Sequence, residues 1–177
     1  VYDAKGDTLL TGELDLCGGH AGRGDDYHYH VAPKCMMDMM KNKSNPAAII
    51  GWAFDGYPIY GAYGYLNTNG TGGIVRMKSG YHLRNITVRN TSPTGATVTS
   101  GPAVSTTYPL GYFREDYEYI SSSSPDVLDV HNGRFCVTPD YPSGIYAYFV
   151  SIDSNQTPVY PYTVCPTYYG TAPSANT

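Results

Sequence analysis

Charge is scarce in this chain. Charged residues fill 15% of its 177 positions, and 11 Lys plus Arg against 15 Asp plus Glu leave a net charge of −4. A surface without a basic excess cannot neutralise a run of phosphates, which argues against nucleic acid as a partner. Long apolar runs are missing too: the longest, Ala47 to Phe54, falls far short of the roughly 20 residues a membrane helix needs, so no membrane span is expected. None of the four cysteines has C-x-x-C spacing, which speaks against a zinc-knuckle or redox motif. A phosphate loop, a cofactor fingerprint and an evident catalytic nucleophile are likewise absent. No signal-type segment precedes Val1, and a mature secreted chain would carry none.

What is abundant is tyrosine, with 19 copies, beside 20 glycines and 13 prolines. That composition favours strands and turns over long helices, and the length suits one core rather than two. The expected fold is all-β or strand-dominated: a single compact domain, sandwich- or barrel-like, with long loops. Residues 1–12 read as an N-terminal arm or edge strand, 13–170 as the domain, and 171–177 as a polar tail. The one helix expected is short, near 34–42, where four methionines cluster before Pro46. Ala47 to Phe54 reads as a buried strand containing the lone Trp52, followed by a turn at Asp55-Gly56-Tyr57-Pro58. Residues 81–89 alternate as a half-exposed strand, and Thr91 to Thr107 reads as a long loop with little core.

Five Asn-x-Ser/Thr acceptors occur, at Asn42, Asn69, Asn85, Asn90 and Asn155. Nine asparagines in a chain about one-sixth serine plus threonine should give about one or two by chance. N-linked glycans and a secreted, extracellular or cell-surface location are therefore expected. An even cysteine count agrees with that address. Near-neighbour pairing gives Cys17 with Cys35, closing the histidine segment, and Cys136 with Cys165, anchoring the C-terminal strands.

The segment Leu14-Asp15-Leu16-Cys17-Gly18-Gly19-His20 is echoed by Leu128-Asp129-Val130-His131-Asn132-Gly133-Arg134, and Tyr27-His28-Tyr29-His30 by Tyr146-Ala147-Tyr148-Phe149. This predicts an internal duplication of one strand-turn-strand unit. In that alignment His20 becomes Arg134, His28 becomes Ala147 and His30 becomes Phe149. Side chains alternate along a strand, so His28 and His30 share a face. His20, across a glycine-rich turn, can fold back as a third imidazole. Such a set suits one transition metal, zinc or copper foremost. Asp15, Asp25, Asp26 or Asp55 could supply an oxygen ligand or orient a ring, and a calcium site on Asp15, Asp25 and Asp26 is the competing ion. His131 and His82 are set aside as ligands.

Four separated words, Leu14-Asp15-x-Cys17-x-Gly19-His20, Tyr27-His28-Tyr29-His30, Ile50 to Gly61, and Leu128-Asp129 through Asn132-Gly133-Arg134-Phe135 to Tyr146-Ala147-Tyr148-Phe149, resemble the YHYH family. The resemblance implies one fold and a secreted or surface-associated setting, without an assigned reaction. The functional expectation is a secreted metal-binding glycoprotein domain with a structural or interaction role, self-associating as a homo-oligomer, surface layer or filament. The alternative is an extracellular metalloenzyme whose three-histidine metal activates water, with Asp26 or Asp55 as general base. Carbohydrate binding by Trp52 and the tyrosines rests on composition.

Overall fold

The computed structural model describes residues 14–21, 27–29, 35, 46–164 and 166–174. The expected arm (1–12) and all of the expected helix near 34–42 except Cys35 lie outside them. The chain is strand-dominated, and the ten strands among the described residues span three to five residues each. They are β1 Gly19–Ala21, β2 Tyr27–Tyr29, β3 Ile49–Trp52, β4 Pro58–Tyr60, β5 Tyr63–Tyr65, β6 Ile74–Arg76, β7 Tyr81–Leu83, β8 Tyr117–Tyr119, β9 Gly133–Cys136 and β10 Ile145–Phe149.

A four-stranded sheet in the order β3-β4-β10-β9 forms the centre. Its β3–β4 hairpin turns at the predicted place, with Gly56 at φ +86° and its N–H donating to the Ala53 carbonyl at 2.9 Å. β10 runs antiparallel to β9 and parallel to β4, a pairing that needs the long excursion between them. Three antiparallel pairs, β1–β2, β5–β6 and β7–β8, complete the strands.

The core gathers on β10. Tyr60, Met77, Leu128, Cys136, Ala147 and Phe149 make one buried cluster, and Ala62, Val150 and Ile152 another. Much of the tyrosine is spent here: Tyr60, Tyr81, Tyr146, Tyr148 and Tyr160 are buried, with hydroxyls bonded to side-chain or backbone oxygens in the first four. Each thus buries a large ring and still satisfies its polar tip.

Several expectations are corrected. The apolar run 47–54 is only half-buried; Trp52 is 56% and Phe54 59% exposed, because β3 is an edge strand. The strand expected over 81–89 ends at Leu83. Arg89 leaves the pattern because it is fully buried against Asp116, with Nε–Oδ1 at 2.6 Å and an Nη2–Oδ2 bond at 3.0 Å. Its remaining donors reach the Pro102, Tyr108 and Pro109 carbonyls. The Asp116 carboxylate also accepts from the Gly111 and Phe113 N–H groups. The polar loop that was expected to have little core is thereby wound around a buried ion pair, which is strongly destabilising to break from one side. Cys136 is a free thiol that is 1% exposed, so the bridge to Cys165 is not formed; Cys136 packs in the core, burial pushes its thiol pKa up, and Cys165 lies outside the described residues.

Among the described residues no helix is long and apolar enough to cross a membrane. Four of the acceptor asparagines, Asn69, Asn85, Asn90 and Asn155, are exposed. Asn42 lies outside the described residues.

Candidate metal centre

The turn before β1 is built by one carboxylate. Asp15 Oδ1 accepts the N–H of Cys17 at 2.8 Å and of Gly19 at 3.3 Å, and Oδ2 accepts the Tyr27 hydroxyl at 2.7 Å. The Tyr27 bond first, and the Gly19 N–H after it, holds the Asp15 carboxyl below the usual carboxylate range. Gly18 takes φ +88°, a conformation costly for residues with a Cβ. Gly19 is required for a different reason: a Cβ there would sit 2.6 Å from the Tyr27 hydroxyl and 2.8 Å from the His28 carbonyl oxygen.

With the turn so fixed, β1 and β2 pair antiparallel and His20 falls directly opposite His28. Directly opposed side chains lie on one face, and the two rings meet edge-on with centroids 4.8 Å apart. Both residues are half-buried. That spacing is compatible with one ion bonded to a nitrogen of each ring at about 2.0–2.1 Å. His30 and Asp26 lie outside the described residues, as does Asp25. Among the described residues no group of three or more His, Cys, Asp or Glu converges as a metal cage, so the described part of the site is the histidine pair.

The two expected oxygen donors among the described residues have other partners. Asp15 serves the turn. Asp55 accepts from the Tyr148 hydroxyl at 2.5 Å and the Gly170 N–H at 2.9 Å, beside a tyrosine cluster in which Tyr146 and Tyr169 stack at 3.7 Å. Cys17 and Cys35 are joined as expected, with Cα atoms 5.0 Å apart, which ties the hairpin to the chain beyond it. The two histidines set aside remain apart: His82 is exposed on β7, and the His131 ring is 2.9 Å from the Thr167 hydroxyl.

The duplication is visible in three dimensions. Asp129 Oδ1 accepts the N–H of His131 at 2.9 Å and of Gly133 at 3.1 Å, and Oδ2 accepts the Tyr146 hydroxyl at 3.0 Å, repeating the Asp15 pattern position for position. Backbone bonds repeat as well: Asp15 N–H to Gly19 carbonyl and Asp129 N–H to Gly133 carbonyl are both 2.9 Å. Strand register agrees, since Arg134 pairs with Ala147 where His20 pairs with His28. The partnership of Asp15 with Tyr27 goes beyond the sequence reading, and its signal in the residues is the matching pair Asp129 and Tyr146.

Neither the curated proteins nor the solved structures contain a match to the chain. A family model described as YHYH protein matches residues 2–161. That span takes in both hairpins and the central sheet, and the chain belongs to the YHYH protein family.

Proposed function

We propose that the chain is a secreted, metal-binding glycoprotein domain with a structural and interaction role, in which His20, His28 and His30 hold one zinc or copper ion. The observation that carries this reading is the cross-strand His20–His28 pair, at 4.8 Å between centroids on one face of the hairpin. The alternation expected from the sequence over 27–30 would set His30 beside His28 as the third imidazole. Imidazole donors suit first-row transition metals, whereas calcium takes oxygen, and the first oxygen donor considered for calcium, Asp15, is committed to the turn. A metal bridging β1 and β2 would fasten this hairpin, which is a structural task. The Cys17–Cys35 disulfide and four exposed acceptor asparagines support an oxidising, glycosylating route of export.

The interaction role draws on the two edges of the central sheet. β3 ends in Trp52 and β9 carries Phe135, 56% and 61% exposed, and such edges invite pairing with a second copy. Sedimentation over a rising concentration series should show association; a monomer throughout removes this part of the reading.

Elemental analysis of protein secreted by a glycosylating host tests the metal. About one equivalent of zinc or copper is expected, falling to background in the His20→Arg/His28→Ala variant, which installs the residues of the second hairpin. No transition metal in fully folded native protein overturns the assignment. Intact mass before and after enzymatic deglycosylation reads the glycans.

A further inference from the structure

A cavity of about 610 Å³ is lined by residues of β6 and β7, of the loop around Gly111 and of the segment 152–162, and none of the proposed metal ligands takes part in it. Its size falls within the roughly 300–1,000 Å³ of small-molecule sites. The lining is rich in tyrosine: Tyr81, Tyr117, Tyr160 and Tyr162 contribute to it, with Tyr117 and Tyr160 stacked at 4.3 Å and Tyr81 edge-on to Tyr160 at 5.3 Å. Tyr162 is held there at φ +70°, a backbone conformation that is costly for a residue with a Cβ. The lining also carries both signs of charge, from Arg76, Lys78 and Asp153, together with Ser79 and Ser154.

Ligand classes can be separated on this lining. An anion such as phosphate would meet the Asp153 carboxylate, and Lys78 is already paired with Asp126 at 2.6 Å. A wholly apolar ligand would strip water from Arg76 and Asp153 without replacing their hydrogen bonds. A sugar suits both kinds of lining residue, because its C–H face packs on aromatic rings, here the half-buried Tyr117 and Tyr162, while its hydroxyls both donate and accept. Arg76 spends Nη1 on the Ile152 carbonyl at 2.5 Å, which orients the guanidinium at the cavity edge.

A second observation points the same way. The acceptor Asn155-Gln156-Thr157 sits on the rim, next to Ser154 in the lining. Asp153 Oδ1 accepts the N–H groups of Asn155 and Thr157, both at 2.8 Å, and Ile152 bridges to Pro158. Asn155 itself is exposed. We propose that this tyrosine-lined cavity is a carbohydrate-binding site. The saccharide has two sources, the glycan on Asn155 folding back into the cavity or a separate oligosaccharide, and the first source rests on the glycosylation proposed above.

The test is an NMR titration with N,N′-diacetylchitobiose, the disaccharide with which an N-glycan begins, on the Asn155→Gln protein and on the native glycosylated protein. Saturable shifts are expected at the amides of Ser79, Gly111 and Ser154 in Asn155→Gln, with affinity about tenfold weaker in the added Tyr117→Leu change. If the native protein does not respond, its own glycan fills the cavity; if it responds equally, the ligand is a separate saccharide. Mass spectrometry of the Asn155 peptide reports occupancy independently, so an unglycosylated Asn155 removes the first source without touching the site. Absence of saturable shifts at these amides in Asn155→Gln, or shifts mapping elsewhere, overturns the proposal. Should Tyr117→Leu fail to fold, Ser154→Trp, at an exposed lining position where a larger side chain obstructs the cavity, serves as the weakened variant.

Discussion

The β1–β2 hairpin and the β9–β10 hairpin share an aspartate, a glycine and a tyrosine that set the same turn, and they differ at the neighbouring positions where each meets its surroundings. In the second hairpin the left-handed turn residue is Asn132, fully buried, whose amide donates to the Phe149 carbonyl at 2.8 Å and the Thr163 carbonyl at 2.6 Å. Gly18 stands there in the first. Arg134 donates to the carbonyls of Leu66, Pro125 and Tyr65, and its partner Ala147 is fully buried; His20 and His28 occupy those places in the first hairpin. Where His131 meets Thr167, Cys17 enters a disulfide. The second hairpin is fastened by burial and side-chain hydrogen bonds. The first has a covalent link, whose closure of 18 residues contributes about 3 kcal/mol in the chain-entropy estimate, and an imidazole pair. A turn design can therefore be kept while the means of anchoring it changes, and the residues facing outward from the turn, rather than those inside it, decide which copy can acquire a site.

The sharpest way to break the comparison is to remove each aspartate. Asp129→Ala leaves the buried Tyr146 hydroxyl and the Gly133 and His131 N–H groups without their acceptor, and should cost about 2–4 kcal/mol of global stability in urea denaturation. Burial first and the Asp129 charge second push the Tyr146 pKa far above the ordinary tyrosine range, so the phenol remains a donor throughout the measurement. Asp15→Ala should leave the urea midpoint nearly unchanged and instead lower metal content, because its hairpin is not built into the central sheet. Equal losses of stability in the two variants would show that both hairpins are structural to the same degree.

A smaller effect is expected from the glycines. A Cβ at Gly133 would collide with the Tyr146 hydroxyl and lie 2.7 Å from the Ala147 carbonyl oxygen, so Gly133→Ala should cost about 1–3 kcal/mol. At Gly19 the same clash with Tyr27 and His28 would separate β1 from β2, and the expected readout is loss of bound metal with the melting temperature retained. If Gly19→Ala binds metal normally, the strand pairing is not what presents the histidines.

Much of this was legible in the residues. The spacing from Leu14-Asp15 to Gly19 recurs at Leu128-Asp129 to Gly133, and the tyrosine runs align, so the duplicated hairpin and the folding back of His20 followed from local pattern, while the direct opposition of His20 and His28 is given by the strand pairing. The turn at Gly56 and the Cys17–Cys35 link were legible for the same reason: each depends on nearby residues. What failed depends on distant ones. Alternation over 81–89 resembles a strand until Asp116, 27 residues from Arg89, draws the guanidinium inside. The apolar run around Trp52 says nothing of its position at a sheet edge, and Cys136 was claimed by core neighbours rather than by a thiol. Asp55 looked available for a metal only because Tyr148, 93 residues away, could not be seen as its partner.

The smallest expected effect is the most discriminating about the first hairpin, because it isolates one carboxyl. The Asp15 pKa is depressed in the folded chain, by the Tyr27 hydroxyl above all. A depressed folded value means the stabilisation is present above the unfolded value of about 3.9 and is lost as pH falls through the lower folded value. Protection of the Gly19 and Cys17 amides, referred to the intrinsic exchange rate at each pH, should therefore hold down to about pH 4 and fall below it, without global unfolding, because the carboxylate is exposed to solvent. Tyr27→Phe removes the largest cause and should move the midpoint of that loss upward toward the ordinary aspartate value. A midpoint unmoved by Tyr27→Phe would mean that the backbone N–H groups alone hold the turn, and the tyrosine would then mark only the packing over Gly19.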